Sequence, residues 1–127
     1  MKLRIQGNAL RLRLSPSDLS RLGSTGILEA TIHFGHVPGS QLTYGVAHSE
    51  AIEGLTVVGT PQGFTVFLPS AEVDDWIATN RVGLSAEVSL GNCGVIGVLL
   101  EKDFACLDLS DADNVDTFPN PHLGESC

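Results

Sequence analysis

Four cations near the start of the chain have the types and spacing to hold an anion. Lys2, Arg4, Arg11 and Arg13 alternate with Leu3, Ile5, Leu10, Leu12 and Leu14, in a chain of 127 residues with only seven Lys and Arg. Successive side chains of a strand point to opposite faces, so the cations share one face and the apolar residues the other. Guanidinium groups suit bidentate contacts to phosphate or carboxylate. Like charges opposed across a hairpin are unfavourable unless solvent, acids or a bound anion relieve them. Two readings follow: a solvated polar sheet face with acidic partners, or an anion pocket inside a curved sheet. Glu29, His33, Glu101 and Lys102 are the expected neighbours on adjoining polar faces.

Other chemistry is weakly signalled. His33 and His36 form a His-x-x-His pair without a third nearby ligand, and Cys106, His122 and Cys127 have ligand types but no recognised spacing. Asp111, Asp113 and Asp116 suggest a calcium loop, yet the pattern's fifth, sixth and twelfth positions are Val115, Asp116 and His122 instead of an oxygen ligand, glycine and glutamate. No Gly-x-Ser-x-Gly elbow and no phosphate loop occurs. No metal or cofactor is therefore expected. Cys93, Cys106 and Cys127 are odd in number and widely spaced, which favours free thiols, with Cys93 and Cys106 read as small packed residues.

The elements that must position the cations begin with a hairpin over 1–14, turned at Gly7-Asn8. Ser15-Pro16-Ser17-Asp18 opens a short helix: Ser15 as N-cap, Pro16 in the first turn, Asp18 closing a capping box, Leu14 and Leu19 as a staple, and Gly23 as the stop. Strands follow at 27–34 and around Leu42, Tyr44 and Val46, and 48–54 is ambiguous between a helical turn and a loop. Leu55–Val58 and Phe64–Leu68 form a second hairpin about Thr60-Pro61-Gln62-Gly63. A helix over 71–79 is capped by Ser70 and carries Val73, Trp76 and Ile77 on one stripe. Strands at 82–90 and about 94–107 complete the set, the last apolar enough to be central. No internal repeat is visible. The fold class is mainly β, or α+β: a single curved antiparallel sheet or partly closed barrel of about eight strands with two short helices. Residues 1–107 form one β-rich domain, and 108–127 an acidic, Pro-containing arm packed only in part.

The formal charge is −8, and five of the fifteen acidic residues fall in the last twenty positions. Such a balance argues against binding nucleic-acid backbone. No apolar run approaches the ~20 residues of a membrane span, and no secretory signal is read at the start, so a cytoplasmic protein away from membranes is expected.

Two stretches carry a family resemblance. Residues 2–14, and Glu101-Lys102-Asp103-Phe104-Ala105-Cys106-Leu107-Asp108 with Asp113-Asn114 and Phe118-Pro119-Asn120-Pro121, resemble a family of short uncharacterised bacterial proteins, a domain of unknown function. His33-Phe34-Gly35 and Thr43-Tyr44 fit as well. The resemblance implies a compact fold that includes the stretch from Glu101 and the Asn120-Pro121 segment, and implies no activity, cofactor or catalytic residue. A barrel lined by alternating charges would also resemble the triphosphate tunnel enzymes. Their N-terminal Glu-x-Glu-x-Lys signature is absent, since the chain reads Lys2-Leu3-Arg4-Ile5-Gln6. The expected function is a non-enzymatic ligand- or protein-binding domain, assembling as a homo-oligomer through an edge strand or the arm. The alternative is a small phosphorylated-anion binding protein or phosphohydrolase-like enzyme using Lys2, Arg4, Arg11 and Arg13.

Overall fold

Alternation and turn chemistry account for most of the elements. In a computed structural model, which describes residues 1–104, strands β1 (Lys2–Gln6) and β2 (Ala9–Leu14) form the first hairpin. Gly7 in its turn has φ +56°, a left-handed conformation that glycine adopts without a Cβ penalty. Helix α1 (Pro16–Thr25) follows, then β3 (Ile27–His33) and β4 (Gln41–Ser49). Strands β5 (Thr56–Thr60) and β6 (Gly63–Pro69), helix α2 (Ser70–Ala78), β7 (Gly83–Ser89), a 3-10 turn (Gly91–Cys93) and β8 (Val95–Lys102) complete the described chain.

Eight strands and two short helices match the expected content, but the strands do not form one sheet. They make two four-stranded sheets, ordered β1-β2-β8-β7 and β3-β4-β6-β5, and neither closes into a barrel. Each sheet joins two antiparallel hairpins through a parallel central pair, β2 with β8 and β4 with β6. Short connections do mark antiparallel neighbours here. The expectation of a single sheet fails because α1 and α2 carry the chain between sheets, so consecutive hairpins separate and the inner strands find partners far along the chain.

This topology contains a repeat that residue identities conceal. A hairpin, a helix and a second hairpin run over 2–49, and the same order recurs over 56–102. The registers of the first hairpin and of the central parallel pair superpose: Leu3 faces Leu12 and Leu12 faces Leu100, while Val57 faces Val66 and Val66 faces Val46. Each residue of the first hairpin thus has a counterpart 54 positions later. Leu14, Leu19 and Leu22 correspond to Leu68, Val73 and Trp76, and all six are buried. A pseudo-twofold relates the two sheets, and one apolar cluster between them takes in residues of both sheets and both helices.

The helices close one end of this sandwich. In α1 the capping box is present: the Ser15 hydroxyl accepts from the Asp18 amide and the Asp18 carboxylate accepts from the Ser15 amide. The helix runs past Gly23 to a left-handed Gly26. A Cβ at Gly23 would fall 2.9 Å from Ile77, so this glycine serves the approach of α1 to α2 and not the stop. In α2 the expected cap is also displaced. Ser70 lies inside the first turn, the N-cap is Pro69 without a side-chain bond, and the Ser70 hydroxyl is turned to His48. The final strand ends at Lys102 and is central, between β2 and β7. Among the described residues no helix is long and apolar enough to cross a membrane.

Candidate functional site

The inward faces of the first sheet carry Leu10, Leu12, Leu14, Val98, Leu100 and Leu84, so the alternate residues face out. Reading across strands β1, β2, β8 and β7 gives three outward rows: Lys2, Arg13, Glu101, Gly83; Arg4, Arg11, Leu99, Ser85; and Gln6, Ala9, Gly97, Glu87. All four cations therefore lie on one outer face, away from the core and not inside a barrel.

Acids answer three of them. Glu101 places one carboxylate oxygen against both Nε of Arg11 and Nε of Arg13, the latter at 3.0 Å. Lys2 pairs with Asp103 at 2.9 Å. Arg4 has no ion-pair partner among the described residues, and within that set the terminal guanidinium nitrogens of Arg11 and Arg13 carry no hydrogen bond. Partial burial raises the Glu101 pKa, but the hydrogen bonds and charges of Arg11 and Arg13 outweigh it and hold this carboxyl below its ordinary range. Beside these cations the face has a hollow of about 440 Å³, with the small residues Ala9 and Gly97 in its lining and Arg4, Gln6, Arg11, Ser85 and Glu87 around them. Of the other expected neighbours, Glu101 joins the face. Lys102 has the opposite parity and donates to the Thr79 carbonyl at 2.8 Å, at the end of α2. Glu29 and His33 belong to β3 in the other sheet.

The pseudo-twofold supplies an internal control for these charges. The counterparts of Lys2, Arg4, Arg11 and Arg13 are Thr56, Val58, Thr65 and Phe67, and the counterpart of Glu101 is Ala47. The same backbone positions are uncharged in the second sheet.

A second site lies at the end opposite the helices. All four hairpin connections gather there, and between the sheets they leave an apolar cleft of about 430 Å³. Ile5, Leu10 and Ile96 line it from one sheet and Leu42, Val57 and Phe64 from the other. Tyr44 and Phe64 stack behind it with ring centroids 6.3 Å apart. Around the same end Ile32, Phe34, Val37 and Val95 are exposed, Phe34 at 64% and Val37 at 72%. Gly63 lets β6 approach β4 here, since a Cβ would meet the Thr43 carbonyl. Sequence reasoning missed this cleft, although Ile5, Leu42 and Phe64 all stand at strand ends nearest the turns.

Histidine and cysteine chemistry is not assembled. Among the described residues no group of three His, Cys, Asp or Glu is placed to hold a metal ion. His33 and His36 are exposed, and Cys93 is exposed in its 3-10 turn, not packed as expected, because that turn projects past the strand ends. Cys106, His122, Cys127 and the Asp111 to Asp116 run lie outside the described residues. His48 escaped notice in the sequence. It follows Leu42, Tyr44 and Val46 on the inward parity of β4, and a polar side chain there must be satisfied. Its Nδ1 meets the Ser70 hydroxyl at 2.8 Å and its Nε2 the Leu22 carbonyl at 3.1 Å, tying β4 to both helices.

The model of a family described as Family of unknown function (DUF7009) matches residues 1–122, and the chain belongs to that family. Neither a curated protein nor a solved structure matches the chain.

Proposed function

We propose that this member of the family is a non-catalytic binding domain whose cleft between the hairpin tips takes an apolar group of a ligand or partner protein. The observation that carries this reading is the contrast between the two ends of one core. At the helix end Leu12, Leu14, Leu22, Leu68, Leu100 and Trp76 are fully buried. At the other end equivalent strand positions diverge into a solvent-open apolar cleft of about 430 Å³, within the size range of small-molecule pockets. Exposed apolar surface gathered at one end of a small domain marks an interaction site. A titration with a solvatochromic apolar dye tests it. Saturable one-to-one binding that Ile5→Asp abolishes without unfolding the protein supports the cleft, and no saturable binding overturns it. Light scattering across concentration reads the homo-oligomer through the same surface, and mass rising with concentration is the expected result.

A second reading is a small anion held on the outer face of the first sheet by Arg4, Arg11 and Arg13 beside Lys2. The Arg4 guanidinium, without an ion-pair partner among the described residues, and the uncharged counterparts in the other sheet favour it. Calorimetric titration with inorganic pyrophosphate at low salt tests this reading: heat that disappears in Arg4→Gln, Arg11→Gln supports it, and no heat in the parent removes it.

A further inference from the structure

The hollow on the outer face of the first sheet carries both signs of charge on its rim. Arg4 and Arg11 stand at one side of this space of about 440 Å³, Glu87 stands at the other, and Ala9, Gly97 and Leu99 make its floor. The ion pairs among the described residues leave out both Arg4 and Glu87. Arg11 donates to Glu101 through Nε, so its terminal nitrogens remain as donors.

The floor is open by residue choice and not by backbone demand. Gly97 lies within β8 without a positive φ, and a Cβ there would stand 3.6 Å from the Ala9 Cβ, an ordinary contact. In the second sheet the equivalent of Gly97 is Thr43, whose hydroxyl meets that of the opposite Thr31 at 2.8 Å and fills the row. Opposite Gly97 stands Glu87, beside the space that the glycine leaves.

We propose that this hollow binds a small zwitterion: an oxyanion on Arg4 and Arg11, an ammonium on Glu87, and a flat apolar body between them on Ala9, Gly97 and Leu99. Charge complementarity selects this ligand. A wholly anionic molecule filling the hollow would meet the Glu87 carboxylate at the far wall, and an ammonium there turns that repulsion into a charge-assisted bond. Arg11 and Glu87 are two strand spacings and two residues apart, ~12 Å between Cα atoms, and a contact of ~2.8 Å at each end leaves ~6 Å between the charged groups of the ligand. One six-membered ring spans that distance. The inference rests on the second reading above, that Arg4 and Arg11 accept an anion, and adds what the rest of the ligand must be.

Calorimetric titration of the full-length protein at low salt compares phenylphosphonate with 4-(aminomethyl)phenylphosphonate, which differ by the ammonium arm. The zwitterion should bind roughly 3- to 10-fold more tightly, the range from an exposed ion pair to a charge-assisted hydrogen bond. In Glu87→Gln, an exposed position, that advantage should vanish while phenylphosphonate binds at least as tightly as to the parent. A merely structural role for Glu87 would not move the two ligands in opposite directions. Gly97→Leu, whose side chain would occupy the floor, should weaken both phosphonates several-fold with circular dichroism unchanged; Glu87→Gln carries the test by itself if that variant folds poorly. An ammonium arm that adds nothing in the parent, or adds as much in Glu87→Gln, overturns the proposal. The anion reading then stands on phenylphosphonate affinity that Arg4→Gln, Arg11→Gln removes. Affinity unaltered in a folded Gly97→Leu also overturns the proposal. Binding of neither phosphonate nor pyrophosphate removes the proposal and the anion reading together.

Discussion

The two halves of this protein share a backbone plan and differ in what they place on it. At the core positions they agree in type: Leu14, Leu19 and Leu22 in one half, Leu68, Val73 and Trp76 in the other, all buried. At the outward positions they part. One sheet presents Lys2, Arg4, Arg11 and Arg13, and the other presents Thr56, Val58, Thr65 and Phe67. Because one half folds without those charges, folding does not require them in the other. Their repulsion across β1 and β2 is tolerated through Glu101 and Asp103, an arrangement that costs stability unless something uses it.

The comparison breaks first at its core. Trp76→Ala should cost about 3–5 kcal/mol and Leu22→Ala about 2–5 kcal/mol, read by chemical denaturation. If either half tolerated truncation, the halves would not share one core. His48→Ala comes next. It removes the bonds to the Ser70 hydroxyl and the Leu22 carbonyl, which keeps the Gly26 amide, and should cost about 0.5–1.5 kcal/mol per bond lost, whereas its counterpart Lys102, whose bond to the Thr79 carbonyl is solvent-exposed, should change stability by less than about 0.5 kcal/mol when replaced by Met.

The helix starts differ as well. Ser15→Ala removes a capping box and should cost about 1 kcal/mol, while Ser70→Ala removes no cap and acts only through His48. Acid sharpens the electrostatic contrast. Burial raises the Asp18 pKa, but hydrogen bonds from the chain's amino terminus (2.8 Å) and from Ser15 outweigh it and hold the carboxyl low, as Arg11 and Arg13 hold Glu101. Depressed carboxyls stabilise the fold fully above their unfolded values near pH 4, and the contribution disappears as pH falls through the lower folded values. Denaturation midpoints should fall steeply below about pH 4, and Asp18→Asn with Glu101→Gln should flatten that limb. Smallest of all, Arg4→Gln should leave stability within about 0.5 kcal/mol of the parent.

Local structure was legible in the chain, and assembly was not. The hairpin over 1–14, the Ser15 capping box and the stripe of Val73 and Trp76 follow from alternation, cap chemistry and helical spacing, which act over a few residues. The division into two sheets rests on Leu12 meeting Leu100 and Val46 meeting Val66. Apolar strands of similar composition can pair in many ways, and nothing local to Leu12 names its partner. The repeat was hidden for the same reason: Leu22 against Trp76 and Arg11 against Thr65 share burial or register but not identity. Alternation places the four cations on one face, as the pairing shows, yet the side they face depended on which sheet lay behind them. The cleft was missed because Ile5 and Phe64 look like ordinary core residues until the sheets are seen to part at that end.

The pairing of β2 with β8 has a consequence for synthesis. Residues 9–14 leave the ribosome more than eighty residues before their partners at 97–102, a wait on the order of ten seconds at ordinary elongation rates. The second sheet, drawn from residues 27–69, completes first. Throughout that interval the newborn hairpin has an unpaired edge along β2, an invitation to other chains. Charges beside such an edge are a recognised deterrent to edge-to-edge association. Arg11 and Arg13 stand on that edge, so the same guanidinium groups that later meet Glu101 guard the nascent strand until Glu101 has been made.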